Sequence, residues 1–194
     1  MEPELSAGLT RLHFSTGLLL SIIIGHDAAT LREIVDIPAA EARLADLGPM
    51  RSLSALNEKV TLLRLLGRLD EAEVIGSEAV RQARFTGDRE QVVSSRIRRA
   101  QVQQYQGKLD EAAIELGHCI DEAETHEWSA VAGYARQQRG TVHLELDDLD
   151  AALTDFKAAV FLRQAAGASP VELENSLIAV TIVESALTAR GPAV

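Results

Sequence analysis

Residues 106–113 read QGKLDEAA. Forty residues earlier, 66–73 read LGRLDEAE, and forty later, 146–153 read LDDLDAAL. The register extends beyond the octets. It aligns Gly67, Gly107 and Asp147; Leu69, Leu109 and Leu149; Asp70, Asp110 and Asp150; Ala72, Ala112 and Ala152; Ala79, Cys119 and Ala159; and Val80, Ile120 and Val160. Self-similarity at this scale marks a stacked repeat architecture, in which each unit buries its apolar face only against its neighbours.

The second half of each unit reads as an amphipathic helix. Leu109, Ala112, Leu116, Cys119, Ile120 and Ala123 recur at three and four residues and form one stripe. The first half is another helix, ending at Gly67 or Gly107, where glycine takes the left-handed conformation that closes a helix C-terminus. Residues 51–90, 91–130 and 131–170 are therefore three helical hairpins with very short turns. After the third comes GASPVELENSL, in which Ser169 caps, Pro170 suits the first helical position and Glu172 completes a capping box. A last helix, within 171–194, is expected to cover the end of the stack. Residues 1–50 leave the register and are read as an N-terminal helical cap or degenerate repeat of two or three helices, with Asp27 as an N-cap and Pro38 as a break or helix start.

The totals agree. The 194 residues are 46% hydrophobic and only 4% aromatic, so the core is built from small and aliphatic side chains suited to close helix packing. A net charge of −10 argues against nucleic acid or an anionic membrane as a global partner. The single cysteine, Cys119, forms no internal disulfide and fits a reducing compartment. The longest apolar run, Leu18 to Ile24, is far short of the roughly 20 residues that span a bilayer, and Glu2 and Glu4 replace the basic start of a signal peptide. The expectation is a cytoplasmic protein, with Leu18–Ile24 as a helix that needs burial and offers a homodimer interface.

The small alanines of the second helix, the glycine between helices and the fixed period resemble the tetratricopeptide repeat. Against its pattern W-x2-L-G-x2-Y…A-x3-F, the third unit has Arg136, Arg139, Gly140, His143, Ala152 and Phe156, of which Gly140, Ala152 and Phe156 match. The resemblance covers residues 51–190. The usual period is about 34; 40 implies longer helices, as in the sensor regions of some large bacterial transcription regulators. What the resemblance implies is an all-α solenoid without catalytic activity, metal or cofactor, binding a protein or peptide in a concave groove lined by the first helix of each hairpin. By position the groove residues are Asn57, Thr61 and Arg64; Ser94, Ile97, Arg98, Gln101 and Gln104; and Tyr134, Gln137, Thr141 and Leu144. A subclass of the family holds the carboxylate tails of chaperones with Lys, Asn and Arg residues. Asn57 and Arg98 resemble members of that set, but Thr61, Tyr134 and Gln138 depart from it, which argues against such a receptor.

The chain departs from the pattern in a basic column, Lys59, Arg99 and Arg139, joined by Arg96 and Arg136. Two readings stand. These side chains bury their stems against a neighbouring helix and pair with acids such as Glu73, Glu115 or Asp155, or they form a stripe for an acidic peptide. Besides a scaffold, a sensor domain with a pocket lined by Tyr105, Tyr134 or Trp128 is open.

Enzyme motifs are missing. His118, Glu122 and His126 share a helix face, but the histidines stand about 12 Å apart along the axis, too far for one ion. His143 and Glu145 lack the cysteines of a deaminase, and Asp147, Asp148 and Asp150 lack the glycine and glutamate of a calcium loop. Cys119 belongs to the small-residue packing column, not to a nucleophile's setting.

Overall fold

The computed structural model describes residues 22–27, 29–86 and 88–191. Two short strands open it, β1 (Ile23–His26) and β2 (Glu33–Val35), followed by α1 (Ile37–Leu47), α2 (Leu53–Leu65), α3 (Leu69–Thr86), α4 (Arg89–Tyr105), α5 (Leu109–Thr125), α6 (Ser129–Glu145), α7 (Leu149–Ala165) and α8 (Pro170–Arg190). The helices pack consecutively as an α-solenoid: α2–α3, α4–α5 and α6–α7 are antiparallel hairpins, and α8 closes the stack.

The octets are the turns. Gly67, Gly107 and Asp147 have φ of 72°, 78° and 64°. At each, two backbone bonds close the preceding helix: Gly67 N to Arg64 O and Arg68 N to Leu63 O, repeated at Gly107 and Lys108 and at Asp147 and Asp148. This is the Schellman arrangement, with Asp147 taking the left-handed place of glycine. The acids that follow, Asp70 and Glu71, Asp110 and Glu111, and Asp150, lie in the first turn of α3, α5 and α7, where the helix dipole favours negative charge.

Packing follows the same register with compensated volumes. Position pairs Val60 with Gly76, Ala100 with Leu116 and Gly140 with Phe156, so the first-helix residue shrinks as its partner grows. At the third pair a Cβ on Gly140 would stand 2.7 Å from the Phe156 ring. The central core joins Val93, Ile97 and Ala100 of α4 to Leu116, Cys119 and Ile120 of α5 and Val131, Ala135 and Val142 of α6. At the C-terminal end Ala179 and Val183 of α8 cover Leu149, Ala152 and Phe156. The helix starts at Pro170; the capping-box carboxylate expected from Glu172 lies outside the described side chains.

The N-terminal region corrects the expectation of a purely helical cap. Ile23 and Ile24 belong to a strand, not to an interface helix, while Leu18 to Ser21 lie outside the described residues. Strands β1 and β2 pair antiparallel with a register shift between Ile23 and Gly25. Asp27 does cap, but it caps the hairpin turn: one carboxylate oxygen accepts from Ala29 N (3.0 Å), Thr30 N (2.8 Å) and the Thr30 hydroxyl (2.8 Å). The helix start at Pro38 belongs to α1, whose N-cap is Asp36. Ile22 is buried against Ala40, Leu47, Ala55 and Leu62, so the end of the apolar run is satisfied within the chain.

Candidate interaction groove

A first helix in such a stack touches its own hairpin partner and the helices of both adjoining units. Its polar side chains are therefore buried along with its apolar ones. In α4 Ser94, Ser95, Arg98, Gln101 and Gln104 are all buried. Gln101 and Gln104 are satisfied in rows along the first-helix face, whereas the Ser95 hydroxyl has no hydrogen bond among the described residues. Gln101 donates to Gln138 Oε1 (2.8 Å) and accepts from the Tyr134 hydroxyl (2.9 Å); Gln104 donates to Thr141 Oγ1 (3.3 Å) and to Glu145 Oε1 (2.8 Å).

The chain's own β-hairpin lies against these rows. Glu33 at the start of β2 receives both terminal nitrogens of Arg64 from α2 (2.9 and 3.0 Å) and the Tyr105 hydroxyl from α4 (2.6 Å). Arg32 makes the complementary pair with Glu145 of α6, at 3.0 and 2.7 Å. The Tyr105 ring is flanked by both guanidinium groups, each 4.6 Å from its centroid, an arrangement in which cation–π attraction adds to the ion pairs. Leu31, just before Arg32, joins the C-terminal apolar cluster with Leu144, Phe156 and Val183. Three consecutive hairpin residues thus engage all three first helices.

The electrostatics follow from this enclosure. Burial alone would raise the Glu33 carboxyl, but the Arg64 charge, its hydrogen bonds and the Tyr105 hydroxyl outweigh burial and hold it at about 2. Burial acts against the Arg64 charge too, and Glu33 more than restores it. Burial pushes the Tyr105 phenol up, keeping it a hydrogen-bond donor to Glu33.

The other expected groove residues divide. Arg64, Gln101, Gln104, Tyr134 and Thr141 take part in the rows just described. Arg98 is buried and donates to Ser94 O (2.8 Å). Thr61 donates back to Asn57 O (3.2 Å). Gln137 turns toward α8, accepting from Ser176 (2.9 Å). Ile97 corrects the expectation: with 0% exposure it belongs to the central core, because the α4 turn that carries it faces α5 and α6. Glu145 and the hairpin residues Arg32 and Glu33 were not anticipated. Glu145 stands forty residues after Tyr105, one step beyond the 64, 104, 144 column, so the repeat register carried a signal for it.

In the second and third hairpins the basic column lies between the two helices. Arg96 donates to Glu115 (2.8 Å) and Glu122 (2.9 Å), and Arg99 lies 3.7 Å from Glu115. Arg139 grips Asp155 with two nitrogens (2.7 and 2.8 Å), and Arg136 bridges Asp155 (2.9 Å) and Glu124. The stem of Arg99 crosses Gly76, where an added Cβ would sit 3.4 Å from its Cγ. Lys59 differs because its unit has Ile75 where the others have Glu115 and Asp155; its ammonium instead donates to the carbonyls of Gly48 and Met50, both at 2.7 Å. Glu73, named as a partner acid, has a buried oxygen without a hydrogen bond among the described residues.

Two shallow depressions of about 480 Å³ each lie elsewhere, one at Ala123, Glu127 and Leu162 and one at Gly67, Asp70 and Lys108. Neither is lined by Tyr105, Tyr134 or Trp128; Trp128 stacks on His126 at 4.7 Å. Among the described residues no three His, Cys, Asp or Glu side chains group to hold a metal ion, and no helix is long and apolar enough to cross a membrane. Burial pushes the Cys119 thiol up to about 12.

Helical hairpins at constant register, closed by the same turn and packed consecutively, define a helical-repeat protein. The chain is 31% identical over 149 residues to the tetratricopeptide repeat protein 36 homolog of Drosophila pseudoobscura pseudoobscura, covering 75% of this chain and 76% of that protein. It belongs to the tetratricopeptide repeat family, whose members mediate protein–protein interactions. Among solved structures it resembles BtubC (BKLC) from P. vanneervenii in fold, with a TM-score of 0.59, 16% identity, and 78% of this chain and 65% of that chain covered. The chain thus spans just under two thirds of the BtubC chain. No protein-family profile matches the sequence.

Proposed function

We propose that the chain is a non-catalytic interaction scaffold that receives an extended protein segment, with an acidic residue in it, along its concave groove. The observation that supports this most is that side chains from α2, α4 and α6 already converge on one short segment, residues 31–33, through two bidentate ion pairs, the Tyr105 hydrogen bond and an apolar contact. Affinity in such a groove comes from several modest contacts spaced along it, with the charged ones setting direction and register. The acidic preference follows from Arg64 and the Tyr105 hydroxyl, which present donors from two helices to one carboxylate. We also infer a cytoplasmic setting, supported by the single cysteine and its inert, buried thiol.

The test is selection of peptides on the immobilised full chain, followed by binding to Arg64→Glu in the groove and to Val74→Asp on α3, whose side chain is exposed. Binding lost with Arg64→Glu and kept with Val74→Asp is the expected outcome. The reverse pattern contradicts the groove as the binding surface.

A further inference from the structure

The segment in the groove is a poor candidate for a permanent structural element. Strands of four and three residues joined by one turn are at best marginal on their own. A register shift interrupts their pairing, and Leu31 adopts φ 58°, a left-handed conformation that costs a branched side chain roughly 1 kcal/mol. The hairpin is held where it is by what it touches outside itself. Its base is anchored by Val35 and the adjoining Ile22 against Ala55 and Leu62 of α2, and its polar contacts with α2, α4 and α6 are made by the Arg32–Glu33 step.

The groove is also not fully satisfied by this occupant. Arg64 is 3% exposed and meets Glu33 end-on through its two terminal nitrogens, which leaves its buried Nε without a hydrogen bond among the described residues. Two turns earlier on the same face of α2, Asn57 Oδ1 is likewise buried and unbonded. A buried donor and a buried acceptor left open each cost on the order of 1–3 kcal/mol, so a segment that meets both has an advantage the hairpin lacks. The receptor itself is built: a cationic end (Arg64), an anionic end (Glu145) and an aromatic spacer (Tyr105) that touches both halves of an Arg–Glu step.

We propose that the groove is a receptor for an apolar–Arg–Glu step within an extended segment of a partner protein, and that the chain's own β1–β2 hairpin occupies this receptor as a displaceable stand-in. The proposal rests on the groove reading given above and specifies its ligand and its regulation. The partner must outcompete a tethered copy of its own motif, so apparent affinity in the native chain is reduced by the fraction of molecules whose groove is open.

The probe is a labelled synthetic peptide of residues 27–36, followed by fluorescence anisotropy with the full chain. Arg32→Glu/Glu33→Arg places like charges against Glu145 and Arg64 and releases the hairpin without touching the groove. The expected result is binding at least ~10-fold tighter than to the native chain, abolished when Arg64→Ala, which cannot re-form a pair with the swapped hairpin, is added. Helix content by circular dichroism checks that the variant is folded; if it is not, Glu33→Gln, which removes only one charge, takes its place with the same expectation. Failure of the peptide to bind the folded, opened chain overturns the proposal. Random peptide selection on the opened chain separates the two levels. Enrichment of adjacent Arg–Glu supports the proposal. Groove-dependent binders without that step overturn it while keeping the groove reading, and absence of any Arg64-dependent binder overturns both. Exchange of hairpins between two copies, seen as a dimer of the native chain by light scattering that Glu33→Gln dissociates, overturns the partner as occupant.

Discussion

Arg139 and Arg64 are both arginines on first helices, and both grip a carboxylate with two nitrogens, yet they are tied to different things. Asp155, the partner of Arg139, comes from the next helix of the same hairpin, 16 residues on and 1% exposed. Glu33, the partner of Arg64, comes from a separate short hairpin 31 residues away. The first pair lies in the seam between two helices whose apolar faces meet regardless. The second ties the β2 start of a short hairpin to α2, beside the apolar anchoring of Ile22 and Val35 at the hairpin's base. Similar chemistry therefore serves cohesion within a repeat in one place and reversible occupancy in the other.

Breaking the first pair should have the largest effect. Asp155→Ala leaves Arg136 and Arg139 facing each other without their shared carboxylate, and a loss of about 3 kcal/mol is expected. Urea unfolding reads it, as a fall of the global midpoint. The second pair should respond to acid locally. Glu33 is depressed from the ordinary 4.5 to about 2, so the contact is fully present above pH 4.5 and is lost as pH falls toward 2, a linkage of about 3 kcal/mol at most. Tyr105 ring resonances followed by NMR should titrate in that window while helix content holds. If the helices melt together with the Tyr105 change, the distinction between the two pairs fails.

Smaller changes sharpen the account of the scaffold that carries both pairs. Gly140→Ala puts a methyl group 2.7 Å from the Phe156 ring and should cost about 1–2 kcal/mol. Adding Phe156→Leu recreates the Ala100–Leu116 combination of the neighbouring unit and should return part of that loss, which thermal unfolding of the single and double variants can check. Least of all, Glu127 holds φ 59° in the turn between α5 and α6. Glu127→Gly should stabilise by about 0.5 kcal/mol, as relief of the left-handed strain exceeds the added flexibility of the unfolded chain.

The stack was legible because its signals are local and repeated. The octets encode a turn that uses only its own backbone, and Ala72, Ala112 and Ala152 are small because two helices touch there. The ion-pair seam was half legible: Glu115 and Asp155 were named as partners, and the sequence also carried the reason Lys59 differs, in the Ile75 that replaces an acid. The hairpin was not legible. Its strands lack an alternating pattern, and IIIGHD reads equally as part of a helix, because the groove that holds it is assembled from residues 31 to 113 positions away. Ile97 reads as a groove residue for a related reason: α4 is buried on several sides, so a polar neighbourhood in sequence does not mark an open face.

A detachable hairpin leaves the solenoid standing without it. Hydrogen–deuterium exchange of the native chain and of Glu33→Gln tests this most directly. Faster exchange confined to residues 22–36, with α4 and α6 as protected as in the native chain, is the result expected. Loss of protection in α4 and α6 together with the hairpin would contradict it, making the hairpin part of the core instead of its guest.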